Sequence, residues 1–222
     1  MIFRSALLLT GFALALPAIP QTLEAPPETQ AVSFEELSPE DQIEAAADAL
    51  APLLDRIADV EGGPSALNAV NRGYAGDTPG GSRSVLGRDL TEMTVAEVMA
   101  AQRGSVYAVG AFQFIPKTLR ALVKRSNYDA SRRFTQATQQ ELAVLLIKHH
   151  RPHVWAYVTS CEYSLRYLAG VGMAREWASV GHPSTGRSVY AGIGGNRAKV
   201  SPQYVTRSLR DACGTLTQPI LI

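Results

Sequence analysis

The sequence predicts an α+β domain, mainly helical, with one small irregular or β lobe. Two observations carry that reading. Apolar residues recur at helical spacing along most of the chain, and the stretch Ser65 to Leu90 between two such segments is dense in Gly, Ser, Asn and Asp and keeps no helical period. A third observation bounds the size: 222 residues suit one main domain with an extra part, against a prior of roughly 100–200 residues per domain.

The extra part is N-terminal. "MIFRSALLLTGFALALPA" opens with Arg4, runs mostly apolar from Ser5 and ends in small residues, the layout of a cleaved secretory signal over residues 1–18. The run stops at Pro17, short of the roughly 20 apolar residues a membrane span needs, so no stable span is expected after cleavage. Residues 19–37, rich in Pro, Glu, Gln and Ser, read as a mobile tether, which places the folded domain at 38–222. Without Arg4 the basic and acidic residues balance at 20 each, an argument against nucleic acid as partner. Periplasmic or secreted localisation follows from the signal. Cys161 and Cys213 fit one disulfide in an oxidising compartment, or two free buried thiols, since spacing alone does not establish proximity.

Within the domain, Ser38 with Pro39, Glu40 and Asp41 forms a helix start: a hydroxyl cap, proline at the first helical position and acids at the positive end of the dipole. Ile43, Ala46, Ala47 and Leu50 share one face. Pro52 predicts a kink or a fresh helix. Leu54, Ile57, Ala58 and Glu61 continue the stripe until Gly62, Gly63 and Pro64 stop it. After the Gly-rich lobe, which has room for a short hairpin, Thr94 and Glu97 make a capping box for "VAEVMAAQRG". An irregular "SVYAVGAFQF" precedes Pro116, at the first turn of "PKTLRALVKRS", with Leu119, Leu122 and Val123 inward. The remaining helices are "QQELAVLLIKHH", apolar enough to be central, "SLRYLAGVGMAREWASV" and "PQYVTRSLRDAC".

Glu61 is the acid out of place. It lies seven residues after Leu54 and four after Ile57, on the face where patterning demands an apolar side chain, whereas Asp55 and Asp59 share a solvated face. Desolvation and the negative end of the helix dipole would both favour the protonated carboxyl, which suits a general acid. The pattern alone leaves open a second placement, with the carboxylate escaping to solvent at a frayed helix end.

"VEGG" closing a helix, a Gly-rich lobe, "VGAFQFIPKTL" and "REWASVGHPSTGRSVYAG", in that order, resemble the lysozyme-like superfamily, and within it the phage lambda endolysin type of muramidase, over roughly residues 53–199. The resemblance implies a lysozyme-like fold with a substrate cleft between its lobes. It implies cleavage of peptidoglycan glycan strands between N-acetylmuramic acid and N-acetylglucosamine, with Glu61 as the catalytic acid and Gln113 and Tyr190 beside the substrate. Ala111 departs from the family, where a longer side chain is common, and the loop before Tyr190 is longer here. With a single carboxylate, the muramic acid's own 6-hydroxyl is the expected nucleophile, making the enzyme a lytic transglycosylase.

The alternative is a hydrolytic muramidase in which Asp77 in "GDTPGG" is the second carboxylate, although that segment equally suits an aspartate bonding its own turn. A third reading keeps the cleft as a binding module without turnover. Tyr74 and Tyr107, in irregular segments, are candidates for stacking on sugar rings or for core packing; Trp155 and Trp177 read as core. His153 stands four residues from His149 and three from His150, but Pro152 interrupts that spacing and neither a third ligand nor an H-E-x-x-H arrangement is present, so no metal is assigned, and no cofactor is implied.

Overall fold

The computed structural model describes residues 31–73, 76–193 and 195–221, so the signal segment, most of the tether and Tyr74 lie outside the described residues. Among the described residues the chain is mainly helical with two small antiparallel sheets. None of those helices is long and apolar enough to cross a membrane.

The first helix, α1 (Pro39–Gly62), begins where the capping signal put it, with the Ser38 hydroxyl accepting from the Asp41 amide. It runs unbroken through Pro52. That residue is exposed, so the backbone hydrogen bond lost with its N–H lies on the solvent side, while its own carbonyl accepts from the Tyr204 hydroxyl at 3.0 Å. The stripe Ile43, Ala46, Ala47, Leu50, Leu53, Leu54 and Ile57 is buried. It packs against α5 (Gln136–His150) and α8 (Pro202–Leu216). α5 is the central helix, with every residue from Thr138 to Ile147 buried. α4 (Pro116–Arg125) and α6 (Pro152–Ser160) also pack on it.

Between α1 and α4 lies the lobe: a 3₁₀ turn at Gly63–Asn68, strand β2 (Val70–Asn71), and short helices α2 (Gly81–Leu86) and α3 (Val95–Ala101). β2 pairs with β3 (Ala108–Val109), which follows α3, with Val70 opposite Val109 and Asn71 opposite Ala108. The lobe is therefore closed by a long-range pairing. Within the lobe the Arg72 amide donates to the Gly76 carbonyl, and Asn71 bridges Asp77.

Besides the kink or fresh helix expected at Pro52, two expectations need correction. The folded unit starts by Ala31, not at Ser38: β1 (Ala31–Val32) pairs with β4 (Ile220–Leu221), and Phe34 is buried against Trp155 with ring centroids 6.0 Å apart. The polar composition of residues 19–37 masked this anchor and the Ser33–Glu36 capping box beside it. Nor does the "SLRY…WASV" helix reach Val180. α7 spans Arg166–Glu176, and Trp177 is already extended (φ −120°, ψ 128°). Its ending is tertiary: the Arg175 carbonyl accepts from Arg151 Nη2 at 2.8 Å and from the Tyr190 hydroxyl at 2.7 Å. Helix ends leave such carbonyls without an internal partner, and these side chains supply one.

Cys161 and Cys213 form a disulfide joining the end of α6 to α8, with Cα atoms 5.4 Å apart. The bridge closes a separation of 52 residues, for which chain entropy predicts a contribution of about 4 kcal/mol. The double substitution Cys161→Ser, Cys213→Ser is expected to lower the urea midpoint accordingly; an unchanged midpoint would mean that packing of α8 alone holds this end of the domain.

Candidate functional site

Glu61 occupies the last turn of α1. Gly63, at φ +61°, turns the chain out of the helix, a conformation disfavoured for residues with a Cβ. The carboxylate is half-buried and does not escape: its Oε1 accepts from the Ser179 amide at 2.9 Å. That donor exists because α7 stops at Glu176 and lets residues 177–179 cross the end of α1. The Lys199 ammonium donates to the Val60 carbonyl at 3.0 Å, tying the following loop to the same helix end.

Opposite stands the turn Gly110–Phe114. Gly110 has φ +74° and Gln113 φ +50°, the latter uncommon for a residue with a side chain and a mark of a turn held by its surroundings. Two buried glutamines hold it. Gln139, fully buried on α5, accepts from the Ala111 amide at 2.8 Å and donates to the carbonyls of Leu67 and Phe134, each at 3.0 Å. Gln102, at the end of α3, donates to the carbonyls of Tyr107 and Phe114 at 2.8 and 2.7 Å. The turn's interior is apolar: Phe112 meets Trp177 with centroids 6.0 Å apart and Phe114 packs edge-on at 5.9 Å. A Cβ at Gly110 would stand 2.5 Å from Gln139 Oε1 and 2.8 Å from Phe134, so Gly110→Ala is expected to cost about 2 kcal/mol or more in denaturant unfolding.

The two segments enclose a cleft of about 290 Å³ lined by Glu61, Phe112, Gln113, Thr118, Glu176 and Trp177 among others. Glu61 and Gln113 are thus brought together. Tyr190 does not line this cleft; its hydroxyl is bound to the Arg175 carbonyl, one residue before Glu176. Tyr107 is about half exposed on the lobe. Asp77 is exposed, accepts from Asn71 Nδ2 at 2.8 Å and is not part of the cleft lining. Among the described residues no group of three or more His, Cys, Asp or Glu is arranged to hold a metal ion.

Glu176 is the residue that sequence reasoning missed. Its side chain is 13% exposed, and its Oε2 pairs with Arg151 Nε at 2.9 Å. Burial pushes its carboxyl above the ordinary glutamate range, against the opposing pull of Arg151.

A larger cavity of about 550 Å³ lies between the start of α1 and the ends of α4 and α5, and some of its polar groups are already matched. Tyr128 donates to Glu141 at 2.6 Å, Arg132 pairs with both Glu141 oxygens, and Ser126 meets His149 at 3.0 Å. The Glu61 cleft, where Glu61 and Gln113 meet, is the better candidate despite its smaller volume. Compared with family models, curated proteins and solved structures, the chain matches none of them.

Proposed function

We propose that the protein is a peptidoglycan-cleaving muramidase of the lysozyme-like fold, acting outside the cytoplasm as a lytic transglycosylase. The supporting observation is that the residues of three separated sequence motifs converge on one cleft: Glu61 from "VEGG", Gln113 from "GAFQF", and the "EWAS" segment whose Ser179 amide fixes the Glu61 carboxylate. The disulfide fits an oxidising compartment.

In this reading Glu61 protonates the glycosidic oxygen and the bond from the muramic acid C1 to that oxygen breaks through an oxocarbenium-like transition state. The muramic acid 6-hydroxyl then attacks C1 and returns its proton to Glu61, so a 1,6-anhydro product forms and no water is consumed. Asp77, exposed and held by Asn71, gives the hydrolytic alternative little support. Gln113 offers an amide to the sugar, and the largely buried Phe112 and Trp177 form the apolar floor of the cleft. The test is digestion of purified peptidoglycan by the mature protein, with mass spectrometry of the soluble muropeptides. Anhydro-terminated fragments support the reading, reducing-end fragments convert it to hydrolysis, and no fragments would overturn it.

A further inference from the structure

The cleft is poor in hydrogen-bond donors. Its polar lining is Glu61, Gln113, Thr118 and Glu176, with no Lys, Arg or His among the lining residues. The Gln113 amide group already donates to the Gly110 carbonyl at 2.9 Å. Glu61 is partly satisfied by Ser179. Glu176 differs: its Oε2 is paired with Arg151, and its other oxygen takes no hydrogen bond from the described residues. Buried polar atoms are almost always partnered, because a desolvated acceptor without a donor is costly. The Glu176 oxygen outside the Arg151 pair is open to a donor that enters the cleft.

We propose that Glu176 is a substrate-binding carboxylate of this cleft, accepting a hydrogen bond from a donor group of the sugar, a hydroxyl or the acetamido N–H, bound beside Glu61. This rests on the glycan reading above and adds a specificity residue to it. Arg151 holds the carboxylate in place from the α5–α6 junction, and the same guanidinium fixes the Arg175 carbonyl at the end of α7. Two carboxylates and no lining cation make the cleft select neutral, donor-rich ligands over anionic ones.

The experiment is calorimetric titration of the mature protein with chitotetraose and with cellotetraose, together with muropeptide-release kinetics, for wild type, Glu176→Gln and Glu176→Met. Hydrogen bonds to a charged group are stronger than neutral ones, so Glu176→Gln is expected to weaken chitotetraose about tenfold and Glu176→Met about fiftyfold. KM should rise while kcat and the anhydro product stay the same, a split that mere loosening of the fold would not give. A loss confined to chitotetraose assigns the acetamido N–H, and an equal loss for both sugars assigns a hydroxyl; either supports the proposal. Unchanged affinity in both variants overturns it. So does unchanged affinity with release abolished, which would make Glu176 a base. Sugar binding that depends on Glu176 without any release by wild type would sustain this inference while the enzymatic reading fails, and wild type that neither binds nor releases would end both.

Discussion

Glu61→Gln is expected to reduce muropeptide release about a thousandfold while leaving the fold intact. The size follows from the role: a general acid in place contributes roughly 10²–10⁴ in rate, and an amide has no proton to give. The fold should survive because the substitution is isosteric and the Gln oxygen still accepts from the Ser179 amide, the contact made by Glu61 Oε1 at 2.9 Å. A half-buried side chain that keeps its partner is expected to change stability by less than about 1 kcal/mol. The check pairs release kinetics with thermal unfolding of the same preparation. A variant that releases fragments at the wild-type rate would remove Glu61 from the chemistry; one that unfolds early would make the kinetic loss uninterpretable, and Glu61→Asp would then separate geometry from folding.

Gln139→Leu is the substitution with the largest expected effect on stability. The wild-type side chain is fully buried and meets three backbone groups from three segments: the Ala111 amide and the Leu67 and Phe134 carbonyls. Leucine is close in size, so little cavity is created, but all three groups lose their partner away from water. At about 1–3 kcal/mol for each orphaned group, the loss should be of the order of 4 kcal/mol. The Gly110–Phe114 turn that presents Gln113 should loosen with it, so residual folded protein should also show weakened sugar binding. Denaturant unfolding measures the first effect and titration with chitotetraose the second. A loss below about 1 kcal/mol would mean that water or a shifted side chain replaces these bonds.

Much of this was legible in the residues. Ser38 and Pro39 marked the start of α1 and Gly63 its end, because capping and positive φ are local chemistry. Glu61 stood out because an acid in register with a buried stripe breaks the only rule that stripe has. Gln139 breaks a similar rule, but α5 is buried on all sides, and a helix without a polar face gives no stripe against which to notice an exception. The end of α7 was illegible for another reason. The bonds to the Arg175 carbonyl come from Arg151 and Tyr190, 24 and 15 residues away, so nothing near Trp177 announces the break. Glu176, read as one more residue of a longer helix, therefore could not be seen facing the cleft. The start of the domain was misplaced because composition averaged over residues 19–37 hid one aromatic anchor, Phe34.

The most direct measurement is mass spectrometry of the fragments that the mature, disulfide-bonded protein releases from purified peptidoglycan. A lytic transglycosylase built on Glu61 yields soluble muropeptides ending in 1,6-anhydro-N-acetylmuramic acid. Complete absence of soluble fragments from intact, folded protein would contradict it.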